Sequence, residues 1–135
     1  MRLDELVQHI KKARRHGTTP MPREDGSTVA RTERLIWEMM KRASVVLIDD
    51  VGIQRPKPGS PEEAIIDKAS DVLQHCRLIC TSNIKPVRES DTDPDADLAT
   101  VYDDRVASRL LANGIAREWE AATLRNNQLA IEWQQ

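Results

Sequence analysis

The chain has 135 residues, the size of one domain. Charged residues make up 31% of it and the formal net charge is -2, so no global basic footprint for nucleic acid exists and any DNA contact would have to be local. Three Trp, one Tyr and no Phe leave the core to aliphatic side chains.

No apolar run approaches the length of a membrane span, and Asp4 and Glu5 interrupt any signal-peptide pattern. These features lead us to expect a cytoplasmic protein with no membrane partner. Cys76 and Cys80 lack the further ligands that a metal site would want, so they read as reduced, mostly buried thiols.

Leu3, Leu6, Val7, Ile10 and Ala13 fall at helical spacing and predict an amphipathic helix over about 3–15. Lys11, Lys12, Arg14, Arg15 and His16 crowd its end, where cations suit the helix dipole. A small phosphate-contacting patch is the sharper alternative. Residues 17–27 are turn-formers and charges, which predict a loop. A second helix is expected over 28–43, with Leu35, Ile36, Met39 and Met40 as its apolar stripe and Trp37 at the margin.

Val45-Val46-Leu47-Ile48 then reads as a strand buried on both faces, ending abruptly in Asp49-Asp50-Val51-Gly52. Ser60-Pro61-Glu62-Glu63 is a helix start with a capping box. That helix should run to about His75, with Ala64, Ile65, Ala69, Val72 and Leu73 inward. Residues 77–83 predict a second buried strand. A strand, a helix and a strand in this order imply a parallel pair, with Asn83 emerging on the same edge as Asp49 and Asp50.

Residues 85–97 are polar and acidic and read as a loop. A helix is expected over about 100–112, stopped by Asn113-Gly114, with Val101, Val106, Leu110 and Leu111 buried. A short strand over 115–120 and an edge strand in the tail 126–135 complete the reading.

Two acids at the carboxyl end of a buried strand can hold a divalent cation and point at a water. A solvated acidic turn is the bland alternative. The spelling IDDVG resembles the Walker B element of P-loop ATPases, most closely the DnaC/IstB branch of the AAA+ family. Thr81-Ser82-Asn83 is similar to that branch's sensor 1. Tyr102-Asp103-Asp104-Arg105-Val106-Ala107-Ser108-Arg109-Leu110 is similar to its Y-D-x-R-x-x-S-R-L box VII stretch. Arg125 matches a further basic residue after the next strand. The resemblance spans about residues 28–125.

The resemblance implies an α/β fold: a partial P-loop NTPase (AAA+) parallel sheet flanked by helices, lacking the P-loop strand. It implies one truncated core domain over 1–135. Residues 1–44 form a helical lead-in, 45–125 run from Walker B to a sensor 2-like region, and 126–135 form a tail. Asp49 would hold Mg²⁺. Asp50, where most AAA+ proteins have Glu, would orient the attacking water, its shorter reach suiting a slow switch-like ATPase. Asn83 would bond that water or the γ-phosphate of ATP. Arg105 and Arg109 would offer an arginine finger, preferably Arg109; the alternative is ion pairing to Asp103, Asp104 or nearby acids. Arg125 would sense nucleotide or be a surface charge.

No G-x-x-x-x-G-K-[ST] occurs, and all five glycines are isolated. The phosphate cradle would therefore lie upstream of Met1. The expected function is a DnaC/IstB-like ATP-binding fragment related to replicative helicase loading, unable to bind or hydrolyse ATP alone. Whether it is an enzyme stays open, and Mg²⁺ and ATP are implied by the resemblance alone. The alternatives are a non-catalytic module acting on an intact AAA+ ATPase or helicase, and an IstB-like transposition helper. Implied partners are a replicative helicase or another AAA+ subunit, single-stranded DNA, or further copies of the chain. Metal-dependent phosphodiester cleavage by Asp49, Asp50 and Asp103 or Asp104 is disfavoured, because topology places no third carboxylate beside the first two.

Overall fold

The computed structural model describes residues 1–53, 55–84 and 97–112. Helix α1 spans Leu3–His16 and buries the five residues its periodicity selects. Two of its crowded cations are paired: Lys11 with Glu62, and Arg14 with Glu33.

The expected loop after it is instead a hairpin. Strand β1 (Thr19–Pro22) pairs antiparallel with β2 (Thr28–Arg31), and Gly26 takes a left-handed turn conformation at φ 79°. Pro20 and Pro22 hid the strand from sequence reasoning. They lie two residues apart, so both nitrogens face the same edge, away from the ladder. Consequently the second helix starts late. Thr32 caps α2 (Glu33–Arg42), its hydroxyl accepting from the Leu35 N–H at 3.3 Å. Trp37 is buried rather than marginal, while Met39 is exposed.

Strand β3 (Val46–Val51), helix α3 (Pro61–Leu73) and strand β4 (Leu78–Ser82) form a parallel βαβ unit, as the residue order predicts. Ser60 caps α3 by accepting from the Glu63 N–H, but Glu63 reaches back to the Gly59 N–H instead of closing the box on Ser60. Ile66 is buried and Ala64 is exposed, reversing the inward assignment at that turn. Met1 and Arg2 run parallel along the far edge of β3: the Asp49 N–H donates to Met1 O at 3.0 Å.

The expected single helix over 100–112 is two. Asp97 caps α4 (Leu98–Val101), and Asp103 caps α5 (Asp104–Leu111) by accepting from the Val106 N–H at 2.6 Å. Each Asp offers an oxygen to backbone donors, which breaks the run at Tyr102. The predicted stop at Asn113-Gly114, the strand over 115–120, the tail strand and most of the 85–97 loop lie outside the described residues.

The fold is thus mixed α/β; among the described residues, two small two-stranded sheets are flanked by helices. The core joins Leu6, Ile10, Ile36, Ile48, Ile65 and Leu73 on one side of the β3–β4 sheet. The opposite side is a correction to the sequence reading. Leu47 and Ile79 are more than half exposed, so the strands are not buried on both faces. Cys80 is exposed too, and Cys76 is half-buried, its thiol donating to the Val72 and Met40 carbonyls. No described helix is long and apolar enough to cross a membrane.

Candidate functional site at the carboxyl end of the sheet

The ladder is regular from Val46↔Leu78 to Ile48↔Cys80 and then shifts, resuming at Val51↔Ser82. Between those pairs β3 holds Asp49 and Asp50, while β4 holds only Thr81. This extra residue is a β-bulge, a device that re-aims side chains at a strand end. Its backbone signature is Asp50, the one described non-glycine residue with positive φ, at 59°. Asp tolerates this region better than most residues, yet the conformation still costs on the order of 1 kcal/mol.

Thr81 holds the bulge. Its hydroxyl donates to Asp49 Oδ1 and accepts from the Asp50 N–H at 3.1 Å. The Ser82 hydroxyl donates to Val51 O at 2.6 Å, tying the two strand ends again. The turn that follows requires glycine. Gly52 sits at φ 96°, and a Cβ there would lie 2.3 Å from Ile84 Cδ1. Its N–H donates to the Tyr102 hydroxyl at 2.6 Å. Desolvation pushes the Tyr102 phenol pKa up, so at neutral pH it is a protonated anchor rather than a base. Tyr102→Phe should therefore cost about 1 kcal/mol by orphaning a buried N–H. A denaturant midpoint unchanged from wild type would remove Tyr102 from this role.

The structure brings Asp49, Asp50 and Thr81 together, with Asn83 just beyond them and exposed. Asp50 lines a cleft of about 30 Å³ with Arg2, Asp4, Ile66 and Tyr102. That is room for one water, not for a nucleotide. A larger groove of about 370 Å³ lies between α3 and α5, lined by Glu63, Asp67, Asp103 and Arg105.

Arg105 and Arg109 project from α5 towards α3. Both bind one carboxylate: Arg105 Nη2 and Arg109 Nη1 each lie 2.9 Å from Asp67 Oδ1. Arg109 also donates to Asp67 O at 3.4 Å and lies 3.6 Å from Asp71. The sequence offered Asp103, Asp104 or nearby acids as ion-pair partners; the acids used are Asp67 and Asp71 of α3, while Asp103 is the cap of α5. Arg125 lies outside the described residues. Among the described residues no three His, Cys, Asp or Glu side chains gather as a metal cage.

Sequence reasoning missed Thr81 and Tyr102 as positioning residues. Parallel register could have found Thr81, since it lies across from the acids. Nothing in the sequence pattern joins Tyr102 to Gly52, because the link runs through the tertiary fold. Comparison with known proteins adds no constraint: no family model, no curated protein and no solved structure matches this chain.

Proposed function

We propose that the chain is the Walker B-to-box VII part of a DnaC/IstB-type AAA+ ATPase core, acting in replicative helicase loading. In this reading it belongs to a partial P-loop NTPase sheet, and the phosphate cradle comes from outside these residues. The observation that carries it is the Asp49–Thr81–Asp50 bulge at the carboxyl end of two parallel strands, where α/β sheets bind ligands.

The donor chemistry at this end suits a hard cation in part. The Asp49 carboxylate and Thr81 hydroxyl are oxygen ligands held side by side. When bound, Mg²⁺ would neutralise phosphate charge there. Asp49 would hold it, Asp50 would orient the water, and Asn83 would bond the water or the γ-phosphate. Arg109 or Arg105 would stabilise transferring charge on a neighbouring subunit's nucleotide only after leaving Asp67. Arg125 would sense nucleotide.

The cleft beside Asp50 favours a second reading, because it is far too small for a nucleotide. Here the chain is a non-catalytic module that acts on an intact AAA+ ATPase or helicase, or on a transposase complex in the manner of IstB-type helpers. Both readings predict that the purified chain alone does not turn over ATP. Calorimetry should detect no Mg-ATP binding in the micromolar range, and phosphate release should match the buffer blank. Micromolar binding with hydrolysis that is lost in Asp50→Asn would overturn both.

A further inference from the structure

We propose that Tyr102 is a positioning residue that couples the arginine clasp of α5, in which Arg105 and Arg109 share Asp67, to the Asp50 turn. Tyr102 closes α4, its N–H donating to Leu98 O at 3.0 Å, and the next residue, Asp103, is the cap of α5. No flexible linker therefore separates its ring from the helix that carries the arginines. At the far end of the side chain, the hydroxyl accepts from the Gly52 N–H at 2.6 Å. The ring stands between two cavities. Together with Ile66 it lines both the small cleft beside Asp50 and the groove between α3 and α5.

The helix end of this link is lightly held. Of the eight residues of α5 only Val106 and Ala107 are buried, and the arginines fasten the helix to α3 through Asp67. An element with few buried contacts is the kind that opens locally. On the sheet side Gly52 is buried, so its N–H depends on the phenol rather than on water. Asp50, two residues earlier, keeps its left-handed φ of 59° between two tethers: its own N–H on the Thr81 hydroxyl, and the Gly52 N–H on Tyr102. When α5 swings off Asp67 it draws the phenol with it, and only the Thr81 tether is left. One movable element biased from two sites is what physical coupling requires, and such coupling runs in both directions. The use of this link in catalysis rests on the proposed function, in which Asp50 orients the water; the contacts that make the link do not.

Amide hydrogen exchange on the full chain, followed by NMR without nucleotide, is the test. Asp67→Asn should speed exchange of the Gly52 amide about tenfold beyond the change at Ile10, a fully buried residue whose amide reports global opening. It should also move the Asp50 amide resonance. Arg109→Ala frees the same helix from its other side and should reproduce both effects by an independent route. In Tyr102→Phe the Gly52 amide should already be fast. Adding either clasp variant should then leave the Asp50 resonance where Tyr102→Phe alone puts it. Gly52 exchange that rises only in step with Ile10 would overturn the proposal. So would an Asp50 shift of equal size with and without the phenol hydroxyl, since the path would then bypass Tyr102. No nucleotide is present, so neither result bears on whether the chain belongs to an ATPase, and the two readings fail separately.

Discussion

Asp67→Ala should destabilise the protein by about 2 kcal/mol, more than removing either arginine that binds it. Asp67 is the shared acceptor for Arg105 and Arg109 and so fastens α5 to α3. The two pairs are unequal. The Arg105 side chain is 62% exposed, so water screens its charge, and Arg105→Ala should cost under about 0.5 kcal/mol. Arg109 is 23% exposed and makes a second bond to the Asp67 carbonyl, so Arg109→Ala should cost about 1 kcal/mol. Asp67→Asn keeps an oxygen but loses the charge, and should fall between Asp67→Ala and wild type. Urea denaturation of the four variants would check the order. An Arg105→Ala effect as large as that of Asp67→Ala would sink this account.

That ranking bears on function. An arginine that serves a neighbouring subunit must be free to reach it. Arg105 can leave Asp67 at little cost, whereas Arg109, preferred on sequence grounds, is the more firmly held. Under the proposed finger role, Arg109 would first have to leave Asp67, and only competing negative charge, such as a phosphate, would draw it away.

The periodicity of α1 and the βαβ order were legible because each rests on local pattern plus one topological rule. The five buried residues of α1 follow from spacing alone. The parallel pairing of β3 with β4 follows from the helix between them. The hairpin was not legible, because two prolines argue against a strand unless it is known that both face an open edge. The exposure of Leu47 and Ile79 was not legible either. A continuous apolar run reports what a strand can bury, not whether a second layer is there. At the site, the carboxylates were visible as a motif. The bulge that aims them depends on one extra residue between Ile48 and Val51, which only the paired strand reveals.

The charge on Glu33 joins three helices, and neutralising it should cost about 2 kcal/mol at pH 7. Its carboxylate receives Arg14 Nε and Nη2 at 2.8 and 2.9 Å and Trp37 Nε1 at 3.0 Å, with Lys68 Nζ at 3.5 Å. Lys68 also lies 5.1 Å from the Trp37 ring centroid, so the cation, the ring and the acid pack as one unit. The Arg14 hydrogen bond, with help from Trp37 and the nearby cations, holds the Glu33 pKa at about 2 against an ordinary 4.5. Full linkage would convert that difference to about 3 kcal/mol, and screening of a side chain still 24% exposed brings it to roughly 2. The sign follows from the depressed folded-state value. The stabilisation is fully present above about pH 4.5 and drains away as pH falls towards 2. Glu33→Gln should therefore lower the melting temperature at pH 7 and flatten the acid limb between pH 4.5 and 2. Arg14→Met, which leaves Glu33 without its main partner, should do much the same. A double variant no worse than either single one would show that the pair acts as a unit. Parallel acid limbs in wild type and Glu33→Gln would show that the helices are held by apolar packing alone.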